Sequence, residues 1–215
     1  MPLLLGDQDV DQLMTMQECV QVMDDAFQQA GRGDTWNRPR SRIRMPGGFH
    51  HLMAAAVLDS KVFGLKTYTS FRAGTRFLTI LYDSETGDIL AMVQGGRCSQ
   101  LRTGAVSAVA TKYMARENAS TVGVLGSGAY APDQLAAVCA VRDIKTAKVF
   151  SRRPEPRKKF ADDMSGKLGI EVTPAESAKE CITDVDVIIT ITRSPTAVLF
   201  GEWLELIRNR DADHL

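Results

Sequence analysis

Thr121-Val-Gly-Val-Leu-Gly-Ser-Gly-Ala-Tyr-Ala131 joins an apolar run to a glycine turn and a helix start. A dinucleotide-binding βαβ unit has this order. Gly126 permits the tight turn off the strand, Gly128 lets the backbone approach a pyrophosphate, and Ala131 stands where a third glycine allows close packing of helix on strand. Glycine turns also have purely structural uses, so the neighbouring sequence decides. Pro132 suits a first helical turn, and Leu135, Ala136, Val138 and Cys139 supply an apolar face. Residues 147–150 follow where a second strand is due, and its tip should meet the adenosine ribose. That tip reads Ser151-Arg152-Arg153, with no Asp or Glu. A hydroxyl and guanidinium groups would hold a 2′-phosphate that a carboxylate would repel, which favours NADP, with NAD as the alternative. The competing reading makes Arg152, Arg153, Arg157, Lys158 and Lys159 a solvated basic helix start.

Working outward, strands are expected at 122–125, 147–150, 170–172 and 185–191 with helices between them. The fold class is therefore α/β, a Rossmann-type doubly wound parallel sheet. The last strand reads as buried on both faces, and it leaves Thr190, Thr192 and Ser194 at its carboxyl end beside the glycine turn. After Leu204 the chain is polar and offers no further apolar strand, so the sheet is expected to be incomplete at its C-terminus. An α+β domain precedes it. Thr15-Met16-Gln17-Glu18 is a capping box opening a helix that Gly31 and Gly33 stop. Short strands are expected at 42–45, 52–57, 62–68, 77–82 and 89–93, with a hairpin turn over 83–88. A long helix is expected over 99–116. The expected division is 1–117 as a substrate-binding and dimerisation domain and 118–215 as the NAD(P)-binding domain.

Lys plus Arg balance Asp plus Glu at 26 each, so no overall field draws the chain to nucleic acid or to an anionic membrane. Leu3, Leu4 and Leu5 are too short a run for a signal-peptide core, and no other segment is long enough to span a bilayer, so a cytoplasmic protein is expected. Cys19, Cys98, Cys139 and Cys181 show no metal-ligand spacing. Reduced thiols and no metal are expected.

Three features could carry chemistry in the first domain. Arg38, Arg40, Arg42 and Arg44 alternate at strand period, which points them to one side of any strand running through them, as an anion site or a solvated face. Lys66 interrupts an apolar strand, so it either snorkels or faces a cavity, where desolvation would lower its pKa into the range of acid/base work. Arg102 and Thr103 open the long helix at an N-terminus that favours anions, or serve there as cap and surface charge.

The sequence resembles the ornithine cyclodeaminase and mu-crystallin family. The resemblance runs through Val62-Phe63-Gly64-Leu65-Lys66, 81–87, Leu101-Arg102-Thr103-Gly104-Ala105, Val124-Leu125-Gly126-Ser127-Gly128-Ala129 and Gly201-Glu202-Trp203-Leu204. It implies a homodimer whose first domain binds a small α-amino or imino acid and whose second binds NAD or NADP. Arg42 and Arg102 would then clamp the α-carboxylate, Lys66 would be the catalytic residue beside the reacting carbon, and Met53 would line the pocket. Cofactor contacts would come from Thr79, Arg102, Thr103, Gly126, Ser127, Gly128, Ala129, Tyr130, Ser151, Arg152, Arg153, Thr190 and Thr192. Tyr130 stands where the family usually has Gln, and His51 stands near a position that is acidic in some cyclodeaminases. The implied activity is NAD(P)-dependent reduction of a cyclic or α-imino acid of ketimine or pyrroline-2-carboxylate type. The alternatives are ornithine cyclodeamination and a non-catalytic NADPH-binding protein of mu-crystallin type. The family's Asn-to-Asp segment has no counterpart after Leu204, which suggests a truncated member or an inactive fragment.

Overall fold

A computed structural model of the protein describes residues 1–204. The expectations for the segment from 205 onward, including the missing Asn-to-Asp segment, lie outside the described residues. The chain forms two compact units, Met1–Arg102 and Thr103–Leu215.

The first unit is built on a mostly antiparallel seven-stranded sheet. Its strands are β1 (Leu3–Leu5), β2 (Thr35–Asn37), β3 (Ser41–Met45), β4 (Gly48–Val57), β5 (Val62–Phe71), β6 (Gly74–Asp83) and β7 (Ile89–Gln94). The order is β1-β7-β6-β5-β4-β2, with β3 also paired to β4. Two helices precede β2: α1 (Asp7–Leu13) and α2 (Met16–Arg32). The capping box forms as expected, with Thr15 Oγ1 accepting from the Glu18 N–H and Gly33 closing α2 in the left-handed region at φ 90°. The Leu3–Leu5 run is a strand, lying parallel to β7. Strands β4, β5 and β6 are each ten residues long and extend past the expected ends. The 83–88 turn joins β6 to β7 antiparallel, with the Asp83 carboxylate accepting from the Glu85 and Thr86 N–H groups.

Two expectations are corrected. Arg38, Arg40, Arg42 and Arg44 do not share one strand, because β2 ends at Asn37 and β3 begins at Ser41. Pro39 lies between them and cannot donate to a ladder. The long helix α3 (Gly95–Met114) begins four residues before the expected start, so Arg102 and Thr103 lie in its interior, not at its N-terminus. Asp7 explains the early start. Its carboxylate accepts the Arg97 N–H at 2.8 Å, and a Cβ on Gly96 would lie 2.8 Å from it.

The second unit carries the parallel sheet. Strands β8 (Thr121–Leu125), β9 (Thr146–Phe150), β10 (Glu171–Pro174) and β11 (Val187–Thr190) run in the order β10-β9-β8-β11. The helices are α4 (Ala131–Cys139), α5 (Pro154–Leu168) and α6 (Ala178–Ile182). Alternation along β8 divides the core. Val122 and Val124 pack with Leu135, Val138, Phe160 and Met164, while Leu125 packs with Cys181, Ile182 and Val185, against which Val198, Leu199 and Trp203 also lie. The sheet is therefore covered on both faces, as a doubly wound fold requires. Strand β11 departs from the expected double burial: it pairs only with β8 among the described residues, and Thr190 at its end is exposed. Asp186 anchors its start, accepting from the Ser120 and Thr121 N–H groups, the Thr121 hydroxyl and Arg116. At Gly104 a Cβ would lie 2.6 Å from the Asp133 carbonyl, so the glycine of Arg102-Thr103-Gly104-Ala105 serves the close approach of α3 and α4.

Candidate functional site

In the first unit the strand register gathers the expected residues. Arg42 lies opposite His51, His51 opposite Tyr68, and Tyr68 opposite Phe77, while Met53 lies opposite Lys66 and Lys66 opposite Thr79. Directly paired residues project to one face of a sheet, as do residues two apart. Arg42, Met53, Lys66 and Thr79 thus share a face with His51, Tyr68 and Phe77. Lys66 is half-buried, with Nζ 4.9 Å from the Phe77 ring centroid and 6.0 Å from that of Tyr68. Nζ also donates to Ser99 Oγ at 3.5 Å, and the same oxygen accepts from Arg102 at 3.4 Å. Burial pushes the Lys66 pKa down and the Arg102 charge pushes it further, with Cys98 opposing. An ammonium and a guanidinium converge on one buried serine hydroxyl, with no carboxylate pairing either through a described hydrogen bond. An anion placed there relieves their repulsion.

Sequence reasoning missed Ser99, Tyr68 and Phe77. Ser99 had a readable signal, since it precedes Arg102 by three residues and so lies on the same side of a helix. The aromatic pair had none without the register.

In the second unit Gly126 adopts φ 124°, and a Cβ there would lie 2.2 Å from the Ile191 carbonyl. Its N–H donates to the Phe150 carbonyl at 2.8 Å. No other residue fits. At Gly128 the situation is reversed: a Cβ would meet nothing within 4 Å, so the protein's own packing does not call for a glycine there. Backbone left bare beside open space, ahead of the α4 N-terminus, suits a pyrophosphate. Tyr130 is the α4 N-cap but makes no side-chain cap bond, and Pro132 sits in the first turn. Ser127 Oγ donates to Ser151 Oγ at 2.8 Å, which ties the turn to the tip of β9. Ala129, Arg152 and Arg153 are exposed there. Thr192 Oγ1 accepts from the Ser194 N–H and so serves a local turn.

One basic residue leaves the solvated group proposed for 152–159. Arg157 is buried, with its guanidinium 5.5 Å from the Phe150 ring centroid and 3.2 Å from both Glu176 carboxylate oxygens. Lys158 and Lys159 do form exposed pairs, with Asp162 and Asp163 one turn on.

The sequence profile of the ornithine cyclodeaminase/mu-crystallin family matches residues 2–206. The chain belongs to the ornithine cyclodeaminase/mu-crystallin family. Alanine dehydrogenase of Archaeoglobus fulgidus is 32% identical over 211 residues, covering 94% of this chain and 64% of that protein. The structure of Thermococcus litoralis Δ1-pyrroline-2-carboxylate reductase in complex with NADH and L-proline superposes with a TM-score of 0.88 at 35% identity, covering 94% of this chain and 65% of that one. An archaeal alanine dehydrogenase dimer with bound NAD gives a TM-score of 0.87 at 31% identity, covering 94% and 64%. As a member of the family, this chain spans about two thirds of the length of these relatives. None of its described helices is long and apolar enough to cross a membrane.

Proposed function

We propose that the chain carries the substrate- and cofactor-binding elements of an NADP-preferring oxidoreductase that reduces a small cyclic or α-imino acid. The observation that carries this reading is the convergence of Lys66 and Arg102 on Ser99, on the sheet face that also presents Arg42 and Met53. Arg42 and Arg102 bind the α-carboxylate. Lys66, held on Phe77 and lowered in pKa by burial, presents its Nζ proton to the substrate nitrogen. Met53 supplies apolar lining. A bound nicotinamide supplies the hydride in such a reaction. The open backbone at Gly128, the Ser127–Ser151 link and the carboxylate-free tip at Arg152 and Arg153 fit the phosphates of NADP, with NAD as the weaker ligand. Thr79, Thr103 and Thr190 are proposed as further cofactor contacts. A homodimer acting in the cytoplasm is proposed with it, the dimer on the likeness to the archaeal alanine dehydrogenase, which is a dimer.

Calorimetric titration of the purified chain with NADPH and NADH, followed by NADPH oxidation with Δ1-pyrroline-2-carboxylate, tests this. Tighter binding of NADPH and turnover are expected. Tighter binding of NADH would overturn the NADP preference, and saturable NADPH binding without turnover on any imino acid would overturn the oxidoreductase reading.

A further inference from the structure

His51 is buried and sits on the same sheet face as Lys66, yet its Nδ1 has no partner. The rest of the ring is tightly held. Nε2 lies 2.9 Å from Ser70 Oγ, and the ring stacks on Tyr68 with centroids 4.2 Å apart and planes 8° from parallel. Tyr68 in turn accepts from Arg40 at 3.1 Å, and Arg42 pairs directly across the ladder from His51. Leaving a buried polar atom unpaired is costly, so a ring fixed in this way is best explained if a ligand completes it. The surroundings state the ligand's charge. Strands β3 to β6 contain no Asp or Glu before Asp83, and no described ion pair occupies Arg40, Arg42 or Arg44.

We propose that His51, with Arg40, forms a subsite for a second carboxylate on the substrate, remote from the α-carboxylate that Arg42 and Arg102 hold. The subsite rests on the reading that the Lys66 and Arg102 cluster holds the α-carboxylate, and it narrows the substrate class to imino acids bearing a distal anionic group. Burial pushes the His51 pKa down, and Arg40 and Arg42, then His50, push it further, so the imidazole stays neutral. With the Ser70 hydroxyl donating to Nε2, Nδ1 carries the ring hydrogen and donates it to a carboxylate oxygen. A distal ammonium at the same place would meet guanidinium groups and no acid, which excludes diamino acids.

The test compares succinate with butyrate, a chain of equal length with one carboxylate fewer, by calorimetry on the full chain. Wild-type protein should bind succinate at least tenfold more tightly, and His51→Leu should lose that preference while its butyrate affinity stays unchanged. Because His51→Leu could disturb folding, the ¹⁵N resonance of the wild-type His51 Nδ1 is followed as well. It should move with succinate and stay still with butyrate. Equal affinities for the two acids, or an Nδ1 resonance that succinate leaves in place, would overturn the subsite. Reduction of pyrroline-2-carboxylate with no succinate preference removes the subsite and leaves the oxidoreductase reading intact. A succinate preference without NADPH oxidation on any imino acid does the reverse.

Discussion

Replacing Gly126 and Gly128 by alanine, one at a time, separates a glycine that the fold requires from one that a ligand requires. At Gly126 the φ of 124° strains any other residue by about 1–3 kcal/mol. An alanine Cβ would also lie 2.2 Å from the Ile191 carbonyl, and that contact is backbone that cannot swing aside. Relief requires the ends of β8 and β11 to part, which weakens the Ile191 N–H bond to the Leu125 carbonyl, now 2.9 Å, at a further cost of about 1 kcal/mol. Gly126→Ala should therefore destabilise the second unit by about 2–4 kcal/mol. With a urea slope near 2 kcal/mol/M, the midpoint falls by about 1–2 M. Trp203 packs on the second core and Trp36 lies in the first unit, so fluorescence in a Trp36→Phe background reports the second unit alone. Gly128→Ala meets open space, so its midpoint should stay within about 0.5 kcal/mol of wild type. Its cost should appear in NADPH affinity, as a loss of tenfold or more (about 1.4 kcal/mol) from a methyl group standing where the phosphates approach. A Gly126→Ala protein with an unchanged midpoint would refute the packing argument. A Gly128→Ala protein that binds NADPH as wild type does would refute the phosphate assignment.

Two further outcomes are expected. Burial alone would push the Asp186 carboxyl up, but the Ser120 and Thr121 N–H groups, the Thr121 hydroxyl and Arg116 outweigh it and hold the group below the usual carboxylate range. Such a lowered pKa contributes stability that is present above the unfolded value near 3.8 and lost as pH falls through the folded one. Asp186→Asn should thus cost about 2 kcal/mol at neutral pH, and its urea midpoint should converge with wild type in acid; parallel curves down to pH 2 would contradict this. Lys66→Met should weaken binding of pyrrole-2-carboxylate at least tenfold while leaving NADPH affinity within twofold, since Lys66 is assigned to the substrate and the NADPH phosphates to the second unit; an equal loss of both, measured by calorimetry, would count against that division.

The second unit was legible because its strands are short apolar runs of about one core thickness, each bounded by a turn or cap and separated by a helix-length segment. The glycine turn and the strand tip could be placed from spacing alone, and they meet through Ser127 and Ser151. What escaped depended on partners remote in sequence. The start of α3 is set by Asp7, ninety residues earlier, and no local reading of 95–98 could supply that cap. Arg157 looks like its neighbours in a basic run, yet Phe150 beneath it and Glu176 beyond it draw it inside while Lys158 and Lys159 stay in water. In the first unit, residue types marked Lys66 and Arg42 as candidates, but placing them on one face required the register of three ten-residue strands, whose outer thirds lack clear alternation. That register has a chemical consequence. By gathering cations on a face whose strands hold no acid before Asp83, it leaves Lys66, Arg102 and Arg42 without a described ion pair, which is why the proposed reading takes an anionic substrate there and not a cationic one.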